Sequence, residues 1–293
     1  MRDGGRYIAI DWGTTNRRAW LMGDAGAVLD TMRDDRGVLA VERDRYPAEL
    51  TAVRDRFGPL PVIAAGMVGS TRGWREAPYL AVPADLESLA VACVTVAGKD
   101  MMIVPGVSLR TGSRADVMRG EEVQVLGAVI AGLAPGDALF AQPGTHNKWV
   151  EVQGGRIVDF ATAMTGELFA LLRSHGILAG MLDGEVADGP AFRDGVARGA
   201  GATDLPVALF GVRASVLLST LPPEDAAAFA SGVLIGADVG ARDLAGRDVH
   251  LLADGALAAL YAAAIETRGG MAVAVDSHSA FLAGIRHIWE LSR

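Results

Sequence analysis

The string Asp11-x-Gly13-Thr14-Thr15-Asn16 follows the apolar run Ile8-Ala9-Ile10, and each residue type in it suits a turn that holds phosphate. Gly13 removes a side chain so that backbone can approach an anion, while Thr14 and Thr15 add hydroxyl and amide donors. Asp11, at the strand end, can hold magnesium through water. Ordinary hairpin turns use the same string, so its second appearance matters. Pro143-Gly144-Thr145-His146-Asn147-Lys148 follows the apolar run Ala138–Ala141 and precedes Trp149-Val150-Glu151-Val152. Two such hairpins facing each other can grip the β- and γ-phosphates of one ATP, with Lys148 neutralising charge on the transferring phosphoryl group. The competing reading of Lys148 is a solvated surface side chain. His146 is either a turn histidine bonded to backbone or a neighbour of the phosphates.

Phosphoryl transfer to a hydroxyl also needs a carboxylate that orients the hydroxyl and accepts its proton. Met118-Arg119-Gly120-Glu121-Glu122 places two at the first turn of a helical stretch, with Glu121 the first candidate and Glu122 the second. Carboxylates there also complement a helix dipole, which is the bland alternative. Arg119 beside them has the planar fork that pairs with a carboxylate or phosphate. Thr165-Gly166-Glu167 opens another helix, where Glu167 is either a charge at the helix start or a ribose ligand. Ala253-Asp254-Gly255-Ala256 joins a strand to a helix, a junction whose backbone can face a nucleotide.

Such residues have to be delivered to one edge by strands that end in loops. Alternation and turn residues predict strands over 7–11, 14–22 and 28–31, then 61–65 stopped by Gly66, and 102–104 before Pro105-Gly106. Helical spacing covers 46–57 and 121–133, the latter set between Gly120 and Pro135-Gly136. Strands at 138–141, 149–152 and 157–162 then repeat the opening order of strand, Gly-Thr turn, strand, strand. That recurrence is one architectural unit used twice, not a short-period repeat. Helices at 166–175, 227–243, 256–267 and 279–291 and strands at 250–253 and 272–275 complete the chain.

With 293 residues the chain suits two domains, taking roughly 150 per domain. The expected division is an N-terminal lobe over 1–118, a second lobe over 119–278 and a returning helix over 279–293. Composition is that of a soluble globular protein, 51% hydrophobic and 21% charged. No apolar run approaches the ~18 residues of a membrane span, and Met1–Arg6 lacks the apolar stretch of a signal peptide, so the expected location is the cytoplasm. Net charge of −8 argues against a nucleic-acid surface, so an anionic ligand has to meet local cations. The single cysteine, Cys93, excludes an intrachain disulfide and reads as a buried structural thiol.

Taken in order, these strings resemble the actin/hexokinase/sugar-kinase superfamily: phosphate-1 at Asp11–Asn16, connect-1 at Met118–Gly127, phosphate-2 at Gly144–Lys148, adenosine at Ala253–Ala256 and connect-2 at Ser279–Ile288. The chain is similar, more closely, to the 2-dehydro-3-deoxygalactonokinase family. That likeness rests on Ile10–Asn16 with Arg18-Ala19-Trp20, Ala65–Ser70, Gly73-Trp74, Ala77–Leu80, Met118–Glu122, Pro143–His146 with Lys148–Val150, Thr165–Leu168 and Val212–Ser215. The resemblance implies an α/β fold of two lobes, ribonuclease H-like, with mixed sheets flanked by helices and an interdomain ATP cleft. It implies ATP and magnesium as cofactors and transfer of the γ-phosphoryl group to the 6-hydroxyl of 2-dehydro-3-deoxy-D-galactonate in galactonate or galactose breakdown. The loops after Ala65 and through Trp74–Tyr79 would line the sugar pocket, with Gly66, Met67, Trp74, Arg18 and Arg119 as substrate contacts and Arg213 a further cation for the carboxylate. Core packing is the alternative for Trp74. The adenosine motif departs from the superfamily pattern, with Asp254 standing before a single Gly255. The expected partner is a small sugar acid, with neither nucleic acid nor membrane, and a homodimer is compatible with the sequence. Rival readings are an exopolyphosphatase-like hydrolase, which Gly120-Glu121-Glu122 also resembles, a kinase of a related 2-keto-3-deoxy sugar acid, and an actin-like or chaperone-like nucleotide switch.

Overall fold

The computed structural model describes residues 5–112 and 114–293; Met1–Gly4, part of the segment read above for an apolar leader, and Ser113 lie outside it. In chain order the strands and helices are β1 (Tyr7–Trp12), β2 (Arg17–Met22), β3 (Val28–Asp34), α1 (Tyr46–Phe57), β4 (Val62–Gly66), β5 (Tyr79–Ala81), α2 (Leu86–Val91), β6 (Val94–Val96), β7 (Met101–Ile103), β8 (Gly106–Thr111), β9 (Arg114–Met118) and α3 (Glu121–Ile130). They continue with β10 (Ala138–Gln142), β11 (Asn147–Gln153), β12 (Arg156–Ala163), α4 (Thr165–Ser174), α5 (Pro190–Ala200), α6 (Leu205–Leu217), α7 (Ala226–Gly240), β13 (Asp248–Leu251), α8 (Gly255–Thr267), β14 (Met271–Ala274) and α9 (Ser277–Leu291). Two compact units result. The first is 1–137, 151–160 and 277–293; the second is 138–150 and 161–276.

In the first unit a six-stranded sheet runs β3-β2-β1-β4-β7-β6. Strand β1 pairs antiparallel with β2 and parallel with β4, and β4 parallel with β7. Alternation along β1 sends Ile8, Ile10 and Trp12 into the core that α1 closes with Tyr46, Leu50, Val53 and Phe57. Its other face carries Tyr7, Ala9 and Asp11. Tyr7 stacks on Trp289 of α9 with ring centroids 4.5 Å apart, so this face looks toward α9. Helix α3 lies against α9 so closely that a Cβ on Gly127 would collide with the Ala280 carbonyl, and one on Gly284 with the Val123 carbonyl. The expected boundary at 118 gave α3 to the second lobe; this glycine-mediated contact keeps it in the first unit, which runs on to Asp137.

The five-stranded sheet runs β12-β11-β10-β13-β14, with β10, β13 and β14 parallel. Its order matches β3-β2-β1-β4-β7 strand for strand, so the recurrence read from the sequence is a recurrence of topology. In each sheet the carboxyl ends of the parallel strands deliver the loops of interest, Gly13–Asn16 and Met67–Tyr79 in one, Pro143–His146 and Leu252–Asp254 in the other. The second unit's core gathers Leu139, Ala141, Trp149, Phe192, Val196, Ile235, Val249 and Tyr261.

Several elements were not expected from the sequence. Helix α5 carries Gly195 and Gly199, which lower helix propensity but let it press against α7, where a Cβ on either would strike backbone. Helix α6 is apolar nearly all round and shows no period to read. Cys93 is half-buried where full burial was expected, and burial still pushes its thiol up to about 12. Among the described residues no helix is long and apolar enough to cross a membrane.

Candidate active site

The first hairpin is built from behind. Gly13 N–H donates to Asn16 O at 2.9 Å, closing the turn between β1 and β2. The segment after β3 then binds the turn's carbonyls: Gly37 N–H to Thr15 O at 3.2 Å, Val38 N–H to Gly13 O at 3.0 Å and Leu39 N–H to Thr14 O at 3.1 Å. Thr14, Thr15 and Asn16 stay exposed. A turn whose carbonyls are already engaged has amide and hydroxyl donors left to offer an anion.

What fixes that segment is Arg17, which the sequence reading passed over in favour of Arg18. Arg17 is 2% exposed and forks onto Asp34, with Nε to Oδ1 at 3.2 Å and Nη2 to Oδ2 at 2.7 Å, while Nη1 lies 3.1 Å from Glu49 Oε2. Arg36 also pairs with Glu49, and its carbonyl accepts from Trp12 Nε1 at 2.8 Å. The signal was available: Arg17 pairs opposite Trp12 and alternates in phase with Ala19, so a charge occupies the core face of β2. Arg18, one position on, pairs opposite Asp11.

Three backbone ends meet beside Asp11. Strand β4 ends in register with β1, Gly66 opposite Trp12, and Gly66 has φ 93°. A Cβ there would sit 2.8 Å from Trp12 O and 3.4 Å from an Asp11 carboxylate oxygen. Gly120, with φ 105°, precedes α3, and its Cβ would lie 3.1 Å from Gly66 Cα. Only glycine accepts both the left-handed backbone and the approach. The start of α3 is thereby seated at the exit of β1. Burial pushes the Asp11 carboxyl up to about 6, with Arg18 pulling it down and the charge of Glu121 adding to the rise.

The two candidate bases separate cleanly. Glu121 is half-buried, and its Oε2 accepts from Arg119 N–H at 2.9 Å. Glu122 is fully buried, and both of its oxygens take the Gly120 N–H at 2.8 Å. Burial first, then the Glu121 charge, pushes Glu122 up to about 8, so at neutral pH it is a protonated group closing the helix start. Arg119 is 7% exposed, with Nη2 donating to Ala77 O at 2.8 Å and its guanidinium 4.2 Å from the Tyr79 ring centroid. Its Nε and Nη1 are buried without a hydrogen-bond partner among the described residues. Trp74 is half-buried, stacked on Tyr46 at 5.7 Å and packed on the first core, and Met67, half-buried, packs against the same core.

In the second unit Gly144, Thr145 and His146 form the β10–β11 turn, and α4 is locked onto it. Glu167 N–H donates to Thr145 O at 2.9 Å, His146 Nε2 lies 2.6 Å from Glu167 Oε2, and a Cβ on Gly166 would collide with the Gly144 carbonyl. Two strings read as separate features are therefore one, and Glu167 is paired with His146. Lys148 is 5% exposed, with Nζ donating to Thr162 Oγ1 at 2.7 Å, so it is not a solvated surface lysine. Asp254 and Gly255 are exposed at the start of α8, with Gly255 at φ 66°. Arg213 Nη1 donates to Ile177 O at 2.9 Å and holds the loop after α4. Asp238, also passed over, binds Asn147 and Trp149 beside Lys148.

Among the described residues no group of three or more His, Cys, Asp or Glu is placed to hold a metal. The charge of Glu121 adds to the cost of ionising Asp11, and a carboxylate so placed suits a magnesium ion that takes its other ligands from phosphate and water.

The sequence matches the 2-keto-3-deoxy-galactonokinase family over residues 11–288. It is 42% identical over 289 residues to the 2-dehydro-3-deoxygalactonokinase of Escherichia coli (strain K12), covering 97% of each chain. A crystal structure from Sinorhizobium meliloti bearing the same family name superimposes with a TM-score of 0.87 at 37% identity, covering 96% of this chain and 97% of that one. A more distant likeness in fold alone is to the activator of the 2-hydroxyisocaproyl-CoA dehydratase from Clostridium difficile with bound ADPNP, TM-score 0.52 at 11% identity, over 98% of this chain and 95% of that one.

Proposed function

This chain belongs to the 2-keto-3-deoxy-galactonokinase family, of actin/hexokinase-like fold, and we propose that it transfers the γ-phosphoryl group of ATP to the 6-hydroxyl of 2-dehydro-3-deoxy-D-galactonate. The observation that carries the mechanism is the meeting of β1, β4 and α3 through Gly66 and Gly120, which gathers Asp11, Arg119 and Glu121 in one unit.

Glu121 accepts the proton of the acceptor hydroxyl as its oxygen attacks the γ-phosphorus; the bond to the bridging oxygen breaks, and ADP departs with that electron pair. Glu122, buried and holding its own proton, supports the helix start and does not touch substrate. Asp11 would hold magnesium, which when bound would supply neutralisation of charge on the phosphate oxygens. The two unpartnered donors of Arg119 suit the carboxylate and 2-keto oxygen of the sugar acid, an anion otherwise unwelcome to a protein of net charge −8. The turn at Gly13–Asn16 and the turn at Gly144–His146 each donate to phosphate oxygens, and Lys148 adds positive charge behind the second.

An ATP-consumption assay over a panel of 2-keto-3-deoxy sugar acids, with acceptor-free controls, tests the reading. Phosphate release that needs no acceptor would move the assignment to a hydrolase. Equal turnover of the galacto and gluco epimers would overturn the substrate but leave the kinase.

A further inference from the structure

Helix α7 contains one charged residue in fifteen, Asp238, within an otherwise apolar and glycine-rich stretch. It is 8% exposed, and four side-chain donors converge on its carboxylate. Asn147 Nδ2 donates at 2.7 Å and Trp149 Nε1 at 2.9 Å, both from β11; Tyr261 OH donates at 3.1 Å from α8 and Thr165 Oγ1 at 3.3 Å from α4. Arg242 Nη2, one turn on along the chain, completes the shell at 3.6 Å, with its guanidinium 5.6 Å from the Trp149 ring centroid. A carboxylate offers about four lone-pair directions, so this one is fully subscribed.

The origin of those donors is the telling feature. Asn147 directly follows the Gly144–His146 turn and precedes Lys148; Thr165 directly precedes Gly166 and Glu167; Tyr261 lies on the helix that Gly255 opens. Every element of the second unit that carries an expected nucleotide contact sends at least one donor to the same buried anion, β11 sending two. Hydrophobic packing alone tolerates small sliding between such elements. Charge-assisted hydrogen bonds in a buried site do not, because each donor that leaves is stranded without a partner.

We propose that Asp238 is the positioning residue of nucleotide binding, fixing the β10–β11 turn, the start of α4 and α8 in one geometry without itself touching ATP. The inference rests on the kinase reading above, and Asn147 strengthens it: among the described residues its buried Oδ1 has no hydrogen-bond partner, while its Nδ2 is held by Asp238.

Asp238→Asn keeps the shape, removes the charge and puts a donor where only donors point. Steady-state kinetics of the full chain should show KM for ATP raised about tenfold or more, with KM for the sugar acid within about twofold, since a displacement of ~1 Å in a supporting shell costs that much or more. Leu182→Val, a core change in a separate hydrophobic cluster with Leu178 and Val212, serves as the control for lost stability and should leave both KM values near wild type. Should Asp238→Asn fail to fold, Thr165→Val removes one tie and should raise KM for ATP about threefold. An ATP KM unchanged in Asp238→Asn, or KM for ATP and KM for the sugar acid rising together in it, overturns the proposal. Calorimetric titration with a non-hydrolysable ATP analogue separates the two readings: a wild type that binds the analogue but phosphorylates no sugar acid refutes the kinase assignment, while Asp238→Asn binding it as tightly as wild type refutes the positioning role.

Discussion

Glu122→Gln isolates the buried carboxyl from the exposed one, and its consequence is a change in how stability depends on pH. Glu122 is raised from 4.5 to about 8, by burial first and by the charge of Glu121 second. Between those values the folded chain keeps a proton that the unfolded chain gives up, so unfolding releases a proton and stability falls as pH rises. The contribution is fully present below 4.5 and is lost as pH climbs through 8. At 1.36 kcal/mol per pH unit the interval amounts to about 5 kcal/mol, an upper bound because buried sites relax. A glutamine cannot ionise, and its amide oxygen still accepts from Gly120 N–H as one carboxyl oxygen does at 2.8 Å. Urea unfolding of both proteins at a series of pH values from 5 to 9 should show the variant gaining on wild type steadily with pH and levelling above 8, with equal m-values. A difference that stays flat across that range would falsify the protonated Glu122, and with it the division of labour between the two carboxylates.

Four further outcomes follow from the same geometry. Glu121→Gln should lower kcat by about 10²–10⁴-fold with ATP binding retained, and turnover near wild type removes Glu121 as the base. Because the Asp11 carboxyl titrates at about 6, kcat/KM for ATP at limiting magnesium should fall as pH drops through 6 and recover with added magnesium; a profile insensitive to the ion would count against Asp11 as its holder. Arg119→Met should raise KM for the sugar acid at least ~10-fold with KM for ATP little changed, since the anion loses two buried donor nitrogens; parallel shifts would assign Arg119 to the fold. Arg17→Met takes from Asp34 its guanidinium partner and leaves Glu49 with Arg36 alone, and should cost about 3–5 kcal/mol in chemical unfolding, whereas a loss under 1 kcal/mol would show the network to be dispensable.

The candidate site was legible where the proposed function needs a particular residue type at a turn, and illegible where a side chain acts through others. Asp11, Gly13, Gly144 and Glu121 stand in short strings because a phosphate turn or a helix start is local, and local geometry leaves local spacing. Strand order recurs between the sheets for the same reason: each unit opens with the same strand and turn grammar. Arg17 and Asp238 work differently. Arg17 reaches Asp34 and Glu49 across two loops, and Asp238 collects partners 91, 89, 73 and 23 residues away, so no window of sequence contains their purpose. What the sequence does contain is their incongruity, a charge in phase with the core face of β2 and a single acid in an apolar helix. A buried ion is retained against its desolvation only where its partners are numerous and well aligned. Each unit therefore holds its phosphate-type turn with one misplaced charge: Arg17 braces the segment that binds the Gly13–Asn16 carbonyls, and Asp238 ties down the flanks of Gly144–His146. The recurrence of topology extends to this device, though the charges are of opposite sign and share no sequence.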